Sequence, residues 1–187
     1  MPQQPDKGFV FVVGLPGVGK TTFANFLARA ISSHQINSGE ALRSHLRTKE
    51  VRLDDPVETG KVFLEHFGEH VAGEVILSAA RRSRANIVDG VRLVSTLTYF
   101  EALDLAVDVV YLDTAEPVRR ARFRKRSIAE GEATALNFET ILAGKDSWGK
   151  DLERFARLCR WRFDNSGSIE ELLAFVEEVS RDLTLAR

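Results

Sequence analysis

Cysteine is nearly absent. Cys159 stands alone in the chain, so no internal disulfide can form, and no cysteine–histidine cluster offers a structural zinc site. Its apolar-spaced surroundings predict a small core residue in a helix. An excess of either charge is also missing: 26 basic residues face 27 acidic ones, for a net charge of −1. That balance gives no global electrostatic reason for a nucleic-acid or membrane partner. No apolar run approaches the length of a membrane span, and the polar stretch from Met1 to Lys7 is too short for a signal peptide. A soluble, cytoplasmic protein is expected. Internal repeats and low-complexity linkers are lacking as well. What the chain does have is 44% hydrophobic residues over 187 positions, enough for one domain with a proper core.

The chain is organised around Gly8 to Ile31, GFVFVVGLPGVGKTTFANFLARAI. Phe9 to Val13 is a continuous apolar run, suited to a central parallel strand covered on both faces. Phe23, Leu27, Ala30 and Ile31 recur at helical spacing. Between them Gly14, Gly19, Lys20 and Thr21 satisfy G-x-x-x-x-G-K-[ST], the P-loop pattern. Glycines let the backbone curl until successive N–H groups point inward at phosphate oxygens, and the helix N-terminus adds partial positive charge. Lys20 can reach the β- and γ-phosphates, and the Thr21 hydroxyl can ligate magnesium. Gly14, Pro16, Gly17, Val18, Gly19, Lys20, Thr21 and Thr22 are therefore the expected nucleotide-binding residues.

Further along, His34 to Asn37 reads as a second strand, followed by Ser38 as a helix cap and by Gly39, Glu40 and Arg43. Thr48 to Pro56 is turn-like. Gly60 to Glu69 and Val71 to Arg82 read as helices, giving about forty mainly helical residues before the next strand. Ala85 to Asp89 is that third strand, and Val107 to Leu112 a fourth that lacks alternation and should also be central. Glu116 to Arg126 is a basic helix, with Arg119, Arg122 and Arg126 on one face. Ser127 to Gly149 has weak periodicity and is expected to form a short mobile flap. Lys150 to Arg160 resumes a helix, Trp161 to Asp164 is a short last strand, and Ser168 to Leu183 closes the chain as an amphipathic helix. Strands and helices alternating this way predict a three-layer α/β/α P-loop fold with a five-stranded parallel sheet.

Other motifs narrow the chemistry. The guanine-reading N-K-x-D is absent, Asp164–Gly167 matches D-x-x-G too late in the chain for a GTPase, and no L-S-G-G-Q is present. Four segments instead resemble the adenylate-kinase-like family of nucleoside monophosphate kinases and the related dephospho-CoA-kinase-like proteins. They are the P-loop, Ile36–Arg43 (similar to I-S-x-G-D-x-L-R), Val88–Arg92 (similar to D-G-F-P-R or D-G-I-R), and Asn165–Ser168. They fall in the family's order and span most of the chain. Two departures are that Glu40 stands where an aspartate is usual and that no proline precedes Arg92.

The resemblance implies an ATP- and magnesium-dependent kinase, with residues 38–84 forming a helical acceptor-binding region and 127–149 a short lid in a single domain, 1–187. Ser38, Gly39, Arg43, Asp89, Gly90 and Arg92 would bind a small phosphorylated acceptor, and Thr21 and Asp89 the metal. Arg122 and Asn165 would contact the nucleotide, while Lys20, Arg122 and Arg126 would act on the moving phosphoryl group, with Arg119 able to substitute by a one-turn shift. The residues agree with this. An acceptor that is itself a phosphate ester needs fixed cations, and arginine forks match phosphate oxygens in pairs. Asp89 ends an apolar strand, where a carboxylate that holds magnesium belongs. A nucleoside monophosphate leads as acceptor, ahead of dephospho-CoA or another hydroxyl-bearing metabolite. A regulatory ATPase and a nucleic-acid-end kinase are the competing classes, and a nucleic-acid partner is disfavoured because the arginine helix interleaves only Phe123. Base preference and oligomeric state stay open.

Overall fold

Phe9–Val13 forms β1, and every one of its residues is buried, as a strand covered on both faces requires. The computed structural model describes residues 8–52, 59–81, 83, 85–130 and 145–185. After β1 come α1 (Lys20–Ala30), β2 (His34–Asn37), α2 (Ser38–Thr48), α3 (Thr59–Phe67) and α4 (Glu69–Ser78). They are followed by β3 (Asn86–Asp89), α5 (Val94–Ala102), β4 (Val107–Asp113), α6 (Glu116–Glu130), α7 (Lys145–Leu158), β5 (Trp161–Asp164) and α8 (Ile169–Leu185).

The strands pair in the order β2-β3-β1-β4-β5, every pair parallel. This is the expected five-stranded parallel sheet between helical layers. Alternate residues of β1 serve the two layers. Val10 and Val12 join Leu27 of α1 with Phe175 and Val176 of α8 in one core. Phe9, Phe11 and Val13 join Phe100 of α5 and Phe155 of α7 in the other. Phe100 meets Phe9 and Phe11 edge-on, with centroids 4.7 and 5.2 Å apart, so one ring closes that face. Burying such a side chain contributes about 1.5–3 kcal/mol. Register then sets the site. Val12 lies beside Asp89, Asp89 beside Asn37, and Val13 beside Tyr111, which puts the strand ends on one edge below the P-loop. Ligands bind at that carboxyl edge in open α/β sheets.

Between β2 and β3 the chain is helical, as expected. Leu46, Phe63, Ala72 and Val75 from α2, α3 and α4 form a small core of their own. Residues 53–58, which include the end of the turn-like stretch, lie outside the described residues. Among the described residues no helix is long and apolar enough to cross a membrane.

Several local expectations need correction. Asn37, not Ser38, caps α2: its Oδ1 accepts from the Glu40 N–H at 2.9 Å, and Ser38 is already the first helical residue. An asparagine one position earlier reaches the same orphan donor, so the two placements compete in sequence. Residues 94–102, passed over in the sequence, form α5, whose apolar residues are not spaced to show one face. The flap's bounds shrink from both sides, since α6 runs on to Glu130 and α7 begins at Lys145. The stretch 131–144 and the side chains of Arg126, Lys145 and Lys150 lie outside the described residues. Cys159 is only partly buried and follows α7. Its Sγ donates to the Ala156 carbonyl at 3.3 Å, and burial pushes the thiol pKa up.

Candidate nucleotide-binding site

The loop between β1 and α1 is built by glycines at two positions where no other residue fits. Gly14 has φ 142°, and a Cβ there would run into the Leu112 carbonyl of β4. Gly19 has φ 94°, and its Cβ would lie 2.5 Å from Asn165 Nδ2. A loop this close to its surroundings holds its backbone N–H groups in one arrangement. Lys20 Nζ donates to the Gly14 and Leu15 carbonyls at 3.0 and 2.9 Å, so its charge lies over the loop's own entrance. Helix α1 starts with no side-chain cap and no acidic residue in its first turn. Its first N–H groups and its dipole are thus left for an anion.

From β5, Asn165 reaches back to the same loop. It is 4% exposed and donates Nδ2–H to the Val18 carbonyl at 2.8 Å. Thr22, Gly19 and Arg122 join Asn165, Gly167, Ser168, Ile169 and Leu172 around a cavity of about 200 Å³. The cavity opens directly off the loop's helix end, with an apolar wall from α8 and a guanidinium opposite. Arg122 thus lines this cavity, and its Nη1 is buried with no hydrogen-bond partner among the described residues.

On the other side of the loop lies Asp89, 1% exposed at the end of β3. Its Oδ1 is buried and has no hydrogen-bond partner among the described residues, while Oδ2 accepts from Gln35 Nε2 at 3.5 Å. Burial pushes the carboxyl above its ordinary range, and the Thr21 hydroxyl, the Lys20 charge and the Gln35 amide pull it back down. Thr21, Lys20 and Asp89 thus come together across two strands and a helix. An acidic oxygen left bare beside a hydroxyl is a fitting donor set for a hard divalent cation such as magnesium.

Ser38 is 4% exposed and follows β2. Its Oγ sits over Gly90, where a Cβ would approach to 2.9 Å, so the ends of β2 and β3 are in contact. Arg92 is exposed, yet the protein around it disfavours its charge. Arg43 differs from expectation in its company. It donates Nε–H to Glu40 Oε2 at 2.9 Å, and Arg47 holds the other oxygen at 2.5 Å. Its guanidinium also rests against Gly39, with Nη1 3.4 Å from the Cβ position there. The two arginines hold the Glu40 carboxyl below its usual range, Arg47 more strongly.

Two features went unnoticed in the sequence. Gln35 touches Asp89 from β2, and only the register reveals it. Arg119, weighed as a substitute for Arg122, is 4% exposed and packs its backbone against Gly17. Its i, i+3 spacing to Arg122 was visible, but its burial was not.

Chemically, a curled loop of N–H donors, a lysine, guanidiniums and an acid–hydroxyl pair can bind a metal-bound polyphosphate and offset its charge. A search of curated proteins returns no match. Among solved structures, shikimate kinase from Acinetobacter baumannii, in complex with shikimate, is similar at 16% identity and TM-score 0.56, covering 98% of this chain and 96% of that one. A gluconokinase from Sinorhizobium meliloti 1021 is similar at 17% identity and TM-score 0.50, covering 98% of this chain and 99% of that one. At that identity the likeness is one of fold. A family model described as an AAA domain matches residues 10–143, well over half the sequence. The chain belongs to that AAA-domain family of P-loop proteins.

Proposed function

We propose that this chain is an ATP- and magnesium-dependent small-molecule kinase that moves the γ-phosphoryl group to a nucleoside monophosphate or a similar phosphorylated metabolite. The observation that carries this reading is Asp89. A buried carboxylate with a bare oxygen is costly unless a cation joins it, and Thr21 and Lys20 stand beside it at the end of the phosphate loop. The cavity bounded by Thr22, Arg122 and Asn165 gives the nucleotide's base a place on the opposite side. Gly90 follows Asp89 in the chain and Ser38 lies over it, and with Arg92 and with Arg43, which rests against Gly39, they would supply the acceptor side.

A magnesium ion held by Thr21 and Asp89 would neutralise charge on the β- and γ-oxygens. Lys20 and the loop N–H groups orient the triphosphate, and Arg122 stabilises the phosphoryl group in flight. During transfer an anionic oxygen of the acceptor's phosphate bonds to the γ-phosphorus as the bond from that phosphorus to the β,γ-bridging oxygen breaks, and ADP leaves with the electron pair on that oxygen. Positioning and charge supply most of such a rate enhancement, so no dedicated nucleophile on the protein is needed.

One observation favours a second reading, an acceptor hydroxyl on a molecule without phosphate. Glu40 already occupies Arg43 and Arg47, which leaves less cationic surface for a phosphate ester. The similar structures bear the names of a shikimate kinase and a gluconokinase. The test is ADP formation from Mg·ATP over a panel of nucleoside monophosphates, dephospho-CoA and small hydroxy acids, with Lys20→Ala as control. Turnover raised by one acceptor and lost in the control supports a kinase and identifies the class. Tight ATP binding with slow hydrolysis that no acceptor raises would overturn it in favour of a regulatory ATPase.

A further inference from the structure

The two oxygens of Asp89 meet different surroundings. Oδ2 accepts from Gln35 Nε2 at 3.5 Å, and Oδ1 is buried with no hydrogen-bond partner among the described residues. The difference comes from β2. In the parallel register Gln35 lies beside Ile87, and Asn37 beside Asp89. Alternate residues of a strand share a face, so Gln35 stands on the same side of the sheet as Ile87 and Asp89 and reaches the carboxylate diagonally. Asn37, the direct neighbour, is committed to capping α2, where its Oδ1 accepts from the Glu40 N–H at 2.9 Å. Ile87 packs with Phe23 and Leu27 of α1, which makes this the side that α1 covers. The carboxylate therefore stands between the helix that opens with Lys20 and Thr21 and an amide on the outer strand.

A carboxylate held at neither oxygen can turn and offer a cation either one, or both. Magnesium tolerates little of this, because it demands a near-octahedral set of oxygens. Hydrogen bonds from behind a metal ligand fix its orientation, and losing one commonly weakens metal binding by about 10–100-fold. An amide suits the task at Gln35. It donates to Oδ2 without bringing the positive charge of a lysine or arginine against the cation, and without adding a second acid. Its bond to Oδ2 is long, as hydrogen bonds at functional sites commonly are until a ligand draws the groups together.

We propose that Gln35 is a positioning residue for the metal site, holding Oδ2 of Asp89 so that Oδ1 is the oxygen left for the magnesium ion that comes with the nucleotide. This rests on the reading of Thr21 and Asp89 as the metal's ligands, and on neither an acceptor nor phosphoryl transfer. The influence of Gln35 falls on the metal alone. The loop N–H groups and Lys20 meet the phosphates of ATP without it.

ATP binding to the full chain by calorimetry, once with excess magnesium and once with EDTA, tests this in Gln35→Met and Gln35→Asn. Methionine keeps the length but has no donor, and asparagine is one methylene too short to reach. The ratio of the two affinities measures what the metal adds. In both variants that ratio should fall about 10-fold, with ATP affinity in EDTA within about 2-fold of the parent. In the Asp89→Asn background Gln35→Met should lower the ratio no further, since the ligand it positions is already gone. Losses that add in the double variant would overturn the proposal. So would an unchanged ratio in a folded variant. A lower ligand-free melting temperature with ATP binding weakened equally in magnesium and in EDTA would also overturn it, and would make Gln35 a structural contact of the β2 edge. A parent whose ATP affinity ignores magnesium would overturn it together with the metal assignment. A parent that binds Mg·ATP but phosphorylates nothing, with the ratio lost in Gln35→Met, would support the proposal while the kinase reading fails.

Discussion

Asn165 donates its side-chain amide to the Val18 carbonyl at 2.8 Å, tying the turn after the last strand to the phosphate loop 147 residues earlier. Its own N–H is fixed in turn by the Asp113 carbonyl at 2.8 Å, at the end of β4. The shape of the loop is therefore set from β5 as well as from β1. With Gly19 lacking room for a Cβ against the same amide, loop and turn form one fitted unit.

Asn165→Ala should cost about 1–3 kcal/mol of stability, because it strips a buried carbonyl of its donor. At this chain length that corresponds to a melting temperature lower by about 2–12 °C, read by calorimetry. Mg·ATP affinity should drop about 10-fold as the loop loosens. Asn165→Asp keeps the shape but loses the donor and sets a carboxylate beside the phosphates, so it should not rescue binding. Parental melting and parental affinity in Asn165→Ala would show that the tie carries neither.

Glu40→Gln should leave stability within about 1 kcal/mol, since the side chain is 53% exposed and surface pairs contribute little. The pH sign is definite. Arg47 first and Arg43 second hold its carboxyl below the ordinary 4.5, so what the pair adds is present above that pH and lost as pH falls through the lowered value. The larger effect should be on specificity. Freeing Arg43 and Arg47 should lower KM for a phosphorylated acceptor about 3–10-fold and leave KM for an acceptor without phosphate unchanged. No change toward phosphorylated acceptors would remove Arg43 from the acceptor site.

Gly73→Val tests the fold beyond the site. A Cβ at Gly73 of α4 would meet the Tyr99 ring of α5, and this close approach seats α4 on α5. Overpacking of this kind costs about 1–3 kcal/mol. Thermal melting should show that loss, and Gly73→Val with Tyr99→Ala should recover part of it. Additive losses would mean that the two positions are not coupled.

The sheet, its parallel sense and the phosphate loop were legible because they rest on local patterns: the unbroken apolar run of β1, the helical spacing after it, and the glycines between. Asp89 was legible for the same reason, as the polar end of a buried strand. What escaped depends on contacts between distant segments. Gln35 reaches Asp89 only because β2 pairs with β3 in a particular register, and Arg119 is buried only because α6 lies on Gly17. Helix α5 escaped differently. Its aromatic and apolar residues pack on more than one side, which erases the periodicity that marks a surface helix.

Asp89→Asn should act on stability and on function in opposite directions. Burial raises the carboxyl's pKa above its ordinary 3.8, so the folded chain holds its proton to higher pH than the unfolded chain does. Below that ordinary value the group contributes nothing. As pH rises from there through the raised value, stability falls, and above it a constant penalty remains. The asparagine variant cannot ionise and escapes that penalty. Without metal it should melt above the parent at neutral pH, with the difference closing as pH drops toward 3.8. Added Mg·ATP should reverse the order, since the parent gains a cation at the bare Oδ1 and the variant does not, and phosphoryl transfer should fall by about 100-fold or more. Calorimetric melting over that pH range, with and without Mg·ATP, reads both effects on one pair of proteins. A variant less stable than the parent at every pH would mean that Asp89 holds the β2–β3 edge together, and one still stabilised by magnesium as strongly as the parent would place the metal elsewhere.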